Sequence, residues 1–139
     1  MVFATIVGIP EHEREVKVTN MIQDCQLLGK EDTRAGELTP GLLRRLTLGM
    51  ALIGQPKIVI LSNPLEGVDP QSKRKLIETI IKYTEGRALL LSTQSADVAE
   101  RIGDRVGIME EGKLESIGTV KEILTSNGFT YTVMIQSDV

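Results

Sequence analysis

The sequence has no tryptophan and only Tyr 2 and Phe 2 among its aromatics. That scarcity excludes a surface on which nucleic-acid bases stack in series. A charge excess of one sign is also missing. Lys and Arg number 16, Asp and Glu 19, and the net charge of −3 is spread along the chain, so no nucleic-acid partner is expected. The one cysteine, Cys25, rules out an internal disulfide and fits a reducing compartment. It falls on the apolar side of an expected helix, where a thiol is inert packing. The one histidine, His12, sits in the first turn of that helix as a solvated residue, and a lone imidazole makes no metal site. No apolar run approaches a membrane span. The start, MVFATIVGIP, lacks the basic flank of a signal peptide. Repeats, low-complexity tracts and linker-like stretches are absent as well.

What is present is punctuated α/β patterning over 139 residues, enough for a core. Residues 1–9 are short and apolar, compatible with a helix tail or a strand. Pro10 and the acidic Glu11, Glu13 and Glu15 mark a helix start. Val18, Met21, Ile22, Cys25 and Leu28 continue at helical spacing to a stop at Gly29. A second helix begins with Thr39 as N-cap and Pro40 at its first position. Its stripe is Leu42, Leu46, Gly49, Met50 and Ile53, and Gly54 stops it. Residues 57–61 (KIVIL) are a continuous apolar run, expected as a strand buried on both faces. Asp69 and Pro70 repeat the cap-and-proline start for a helix with Leu76, Ile77, Ile80 and Ile81 inward, ended by Gly86. A second buried strand is expected over 87–92, followed by the polar turn Thr93-Gln94-Ser95. Then come a short helix with Val98, Ala99 and Ile102, a hairpin of 105–109 with 113–117, and a helix capped by Thr119. Phe129, Tyr131, Val133 and Ile135 alternate as a last strand with one wet face. Strands separated by helices imply a parallel α/β layer. The expected division is a helical lobe over 1–55 and the α/β part over 56–139.

In open α/β sheets ligands sit outside the carboxyl ends of the strands. Ser62 and Asn63 follow the first buried strand, and Gln94 follows the second. Each has an ordinary reading as a turn residue. Thr39 and Asp69 are likewise explained as N-caps. Arg44-Arg45 and Lys73-Arg74-Lys75 read as solvated helix faces, with an interface role for the first pair as the sharper alternative.

Taken in order, LTPGLLRR, ILSNPLEGVDP, LLSTQSADVAE and DRVGIMEEGKLESIG resemble the second half of an ATP-binding cassette (ABC) transporter nucleotide-binding domain. The A-type subfamily is the most similar, and NGFTYTV resembles the strand that follows such a cassette. The resemblance implies an incomplete P-loop NTPase-like α/β layer with a small helical lobe. It places Leu38–Gly41 at the family's LSGG signature and Ser62-Asn63 at its Walker B acids. Gln94 stands at its switch histidine, and Gly67–Pro70 at its D-loop. In such cassettes ATP is sandwiched between the Walker A of one copy and the signature of the other.

The departures concern chemistry. Walker A, GxxxxGK[ST], cradles phosphates with backbone N–H groups and a lysine, and the sequence holds no complete copy. Gly29-Lys30 has Asp24 where the first glycine belongs and Glu31 in place of Ser/Thr. Gly107 with Gly112-Lys113 has Leu114 there, within an expected hairpin. Ser62 and Asn63 bring no negative charge to Mg²⁺, and an amide is no general base. Gln94 can hydrogen-bond a phosphate but carries no charge. Pro40 removes a donor from the helix N-terminus. The resemblance therefore implies no intact catalytic residue and no metal ligands in this chain. Thr39, Gly41 and Asp69 are what remains for nucleotide contact. ATP and Mg²⁺ are expected only at a site shared with a competent partner. The expected partners are another cassette or transmembrane transporter domains, at the cytosolic face of a membrane. A Walker A segment encoded directly upstream would make this chain an incomplete reading of a transporter. The alternative is a structural or interaction subunit that keeps the fold without binding nucleotide.

Overall fold

The computed structural model describes residues 1–126. The expected last strand over 129–135 and the stop at Asn127-Gly128 lie outside them. The chain forms two compact units, Met1–Ser95 and a second from Ala96 onward.

In the first unit α1 (Val2–Ile6), α2 (Glu11–Asp24) and α3 (Pro40–Ile53) precede β1 (Ile58–Ser62), α4 (Pro70–Thr84) and β2 (Ala88–Ser92). Helices α1, α2 and α3 touch one another, and α4 packs against α2 and α3. Leu52, Leu76, Ile77 and Ile80 are fully buried at the centre. Close approach of α2 and α3 depends on Gly49. A Cβ there would lie 3.2 Å from both Cys25 Sγ and Met21 Cγ, tighter than packed side chains ordinarily allow. Burial pushes the Cys25 thiol up to about 12, with the Asp24 charge adding to it.

Both proline-led helices start as their sequences dictate. Thr39 Oγ1 accepts from the Leu42 N–H at 3.4 Å, and Asp69 Oδ1 accepts from the Ser72 N–H at 2.9 Å. Helix α2 differs from expectation at its end. It stops at Asp24, Cys25 closes it, and Gln26 turns to φ 54 before Gly29 is reached. Leu27 is consequently buried and Leu28 63% exposed. On α3 the buried side is Leu48, Gly49, Leu52 and Ile53. Met50 faces out, because the helix packs on α2 and α4 together and its apolar side is rotated from the simple stripe. Ile81 of α4 is exposed for the same kind of reason.

Strands β1 and β2 pair in parallel, Ile58 opposite Ala88 through Ser62 opposite Ser92. The expectation that β1 is buried on both faces is overturned. Val59 and Leu61 are buried, whereas Ile58 and Ile60 are 66% and 71% exposed, and Leu90 on β2 is 66% exposed. Among the described residues this sheet has only these strands, and nothing covers its second face. A groove of about 440 Å³ opens between α3 and β1, lined by Leu43, Leu48, Ala51, Ile60, Leu61 and Pro64 among others.

The second unit holds α5 (Ala96–Ile102), the antiparallel hairpin of β3 (Val106–Glu110) and β4 (Lys113–Gly118), and α6 (Val120–Ser126). Glu111 and Gly112 take positive φ at the hairpin turn, as a tight two-residue loop requires. Before α6 a reciprocal capping box forms. Thr119 Oγ1 accepts from the Glu122 N–H, and the Glu122 carboxylate accepts from the Thr119 N–H at 2.7 Å.

Candidate functional site

The sequence-derived candidates all lie in the first unit, at the carboxyl ends of β1 and β2 and the N-termini of α3 and α4. Ser62 is the last residue of β1 and is exposed. Its hydroxyl accepts from Ser92 Oγ at 3.1 Å, so the two strand ends are joined by a hydroxyl pair. Asn63 follows with φ 43, a left-handed backbone that Asn tolerates better than most residues. Its N–H donates to the Ser92 carbonyl at 2.9 Å, and its carbonyl accepts from the Glu66 N–H at 3.2 Å. Both candidates thus take part in a strand-to-loop turn. The turn closes through Gly67 at φ 70, where a side chain would be strained. Gln94 is exposed beyond β2, next to Ser95, whose hydroxyl accepts from Lys73 Nζ at 3.2 Å.

The loop over 63–69 returns to the first turn of α3. A Cβ on Gly41 would lie 3.4 Å from the Gly67 carbonyl oxygen, so these segments lie side by side with about the width of a methyl group between them. In that turn Pro40 has no N–H, Leu42 donates to Thr39 Oγ1, and Leu43 donates to the Thr39 carbonyl. Among the described residues the Gly41 N–H is the first-turn donor left without a protein acceptor. It is the group available to an anion there.

The arginines of α3 were read from sequence as a solvated face, and the structure assigns them otherwise. Arg44 Nη1 donates to the Asn63 carbonyl at 2.9 Å. Arg45, with its side chain 13% exposed, donates from Nη2 to Asp69 Oδ2 and to Ser72 Oγ, each at 2.7 Å. Its Nη1 donates to the Gln26 carbonyl at 3.3 Å. Gln26 Nε2 in turn donates to the Ser72 carbonyl at 3.2 Å. The hydrogen bonds from the Ser72 N–H and hydroxyl, together with the Arg45 guanidinium, hold the Asp69 carboxyl below its ordinary value of 3.8. The only sequence sign of this cluster was arginine on the side of α3 that also carries Leu48 and Leu52, at i+3 and i+7 from Arg45. Such placement favours burial of the stem.

The donor set does not fit a resident Mg²⁺. The strand end offers a hydroxyl and an amide, and the nearest carboxylate with a defined role, Asp69, is committed to Ser72 and Arg45. Mg²⁺ binding leans on carboxylates and phosphates. No group of three or more His, Cys, Asp or Glu among the described residues is placed to hold a metal ion. None of the described helices is long and apolar enough to cross a membrane.

No protein-family model matches the chain. Related proteins do. ABC transporter A family member 11 of Arabidopsis thaliana is 38% identical over 133 residues, 94% of this chain and 14% of that protein. The retinal-specific phospholipid-transporting ATPase of Homo sapiens is 35% identical over 117 residues, 84% of this chain and 5% of that protein. The chain therefore spans a small part of either relative. A solved ATP-binding subunit of an ABC transporter matches with a TM-score of 0.79 and 24% identity, over 91% of this chain and 53% of that one. That likeness establishes the fold, a partial P-loop NTPase-like α/β arrangement.

Proposed function

We infer that this chain, which is part of an ATP-binding cassette of the A-family ABC transporter kind, serves as the signature side of a shared nucleotide site and is not an ATPase by itself. The close approach of Gly41 to the Gly67 carbonyl carries this reading. It sets the α3 N-terminus and the 67–69 turn side by side as one backbone-rich surface. The free Gly41 N–H and the α3 dipole suit a phosphate oxygen, and Thr39 supplies a hydroxyl beside it. Asp69 acts within that surface as the cap of α4. Ser62, Asn63 and Gln94 are degenerate catalytic positions, because neutral groups neither gather Mg²⁺ nor deprotonate water. ATP and Mg²⁺ then arrive on the Walker A of a partner cassette, which supplies the lysine and carboxylates. The division into a helical lobe over 1–55 and a core part over 56–139 belongs to the same proposal. So does a place at the cytosolic face of a membrane, beside transmembrane transporter domains.

A second reading, an interaction subunit without nucleotide, is favoured by one observation. Thr39 Oγ1 and the Thr39 carbonyl already take the donors of Leu42 and Leu43, leaving a single N–H where phosphate binding usually recruits several. Titration with a fluorescent ATP analogue separates the readings. The signature-side account expects no saturable binding by the chain alone, and binding in a mixture with an intact A-type cassette that exceeds the cassette's own. An unchanged titration in the mixture supports the second reading. Mg²⁺-dependent ATP hydrolysis by the chain alone overturns both.

A further inference from the structure

We propose that Arg44 and Arg45 are positioning residues that latch the 63–69 loop to α3, so that the Thr39–Gly41 turn and the Gly67–Asp69 turn meet a docking cassette as one rigid surface. The proposal rests on the signature-side reading and adds to it the residues that shape the surface. The loop needs such support. Its own hydrogen bonds are the sparse pair from Glu66 to Asn63 and from Val68 to Leu65, the latter at 3.4 Å. It also holds two residues in left-handed backbone, Asn63 at φ 43 and Gly67 at φ 70, and persists only if its surroundings determine it. Arg44 grips the start of the loop at the Asn63 carbonyl. Arg45 grips its end at the Asp69 carboxylate.

The Arg45 arrangement is specific to a guanidinium. Nη2 serves Asp69 Oδ2 and Ser72 Oγ while Nη1 serves the Gln26 carbonyl. One planar fork thereby ties the end of α2, the start of α4 and the middle of α3. An ammonium on a flexible stem cannot hold three acceptors in those fixed directions. Asp69 is held from both sides, by the Ser72 N–H at Oδ1 and by Arg45 at Oδ2. It is therefore a fixed strut although its side chain is 53% exposed, and the turn presents it together with the exposed backbone at Gly67.

Hydrogen–deuterium exchange on the full chain, comparing wild type with Arg45→Gln and Arg45→Lys, tests the latch. In Arg45→Gln the amides of Glu66, Val68 and Ser72 exchange at least about fivefold faster, while those in the interior of α4, such as Ile80, keep their protection. Arg45→Lys recovers little of the loss. Acceleration spread evenly over the chain, or no acceleration at 66–72, overturns the latch and leaves Arg45 as ordinary packing. The companion readout is ATP-dependent affinity for an intact A-type cassette, which falls about tenfold or more in Arg45→Gln. If wild type shows no such affinity, the signature-side reading fails and exchange alone decides whether the latch exists. Undiminished affinity in Arg45→Gln beside a loosened loop overturns the claim that the loop must be rigid to dock.

Discussion

Arg44 and Arg45 mark the point where residue-level reasoning needs the third dimension. Adjacent arginines on a helix are most often solvated, and their partners here, the Asn63 and Gln26 carbonyls and the Asp69 carboxylate, lie 19 or 24 positions away. Caps are local, so Thr39 and Asp69 were legible from a cap residue followed by proline. Replacing Thr39 with Ala is expected to cost about 1 kcal/mol, read from denaturant unfolding. Acid unfolding reports on the carboxylates. Asp69 is held low by Ser72 and Arg45. At Asp24 burial pushes upward, but hydrogen bonds from Lys82 and Tyr83 outweigh it and the net shift is downward. A carboxyl lowered on folding stabilises the native state above its unfolded value, and that contribution is lost as pH falls through the folded value. The expected acid limb therefore begins near the ordinary 3.8, where the unfolded chain takes up protons, and runs on below it; it is shallower in Asp69→Asn, as followed by circular dichroism. Cys25, with its thiol pushed up to about 12 and no exposed surface, should resist alkylation in the native chain and react only on unfolding.

At the scale of elements, helix existence was legible and helix orientation was not. Periodicity marked α3 correctly, yet a stripe drawn through Met50 missed Leu48 and Leu52, because contact with both α2 and α4 decides which side is buried. Substituting Leu52 by Ala should cost about 2–5 kcal/mol, whereas Met50→Ala, at an exposed site, should cost little. Gly49→Ala is expected to destabilise by about 1–3 kcal/mol, since its methyl group would press on Cys25 and Met21. The end of α2 escaped prediction because Gln26 already turns left-handed at φ 54, three positions before Gly29 does so at φ 76. Strand β1 was read correctly as a strand and wrongly as covered. Its composition suits a layer on each face, and among the described residues only the Val59–Leu61 face has one. Exposed Ile58, Ile60 and Leu90, beside open strand edges, are an association hazard. Ile60→Thr should reduce concentration-dependent self-association in light scattering without lowering the unfolding midpoint. A lowered midpoint would mean that this face is covered in solution.

For the molecule as a whole, the ordered succession of motifs carried more information than composition or periodicity. The parallel pairing of β1 with β2 and the hairpin agree with it. What composition could not convey is that the first turn of α3 lies beside the Gly67 turn, with a hydroxyl and an amide at the end of β1. On the proposed reading, that combination makes the chain one side of a shared site. The most direct measurement is sedimentation of the chain mixed with an intact, hydrolysis-blocked A-type cassette, with and without ATP and Mg²⁺. The account predicts a complex that forms only with nucleotide and is lost when Gly41 is replaced by Glu, which places a carboxylate where a phosphate would lie. A complex that forms equally well without nucleotide, or that tolerates Gly41→Glu, would contradict it.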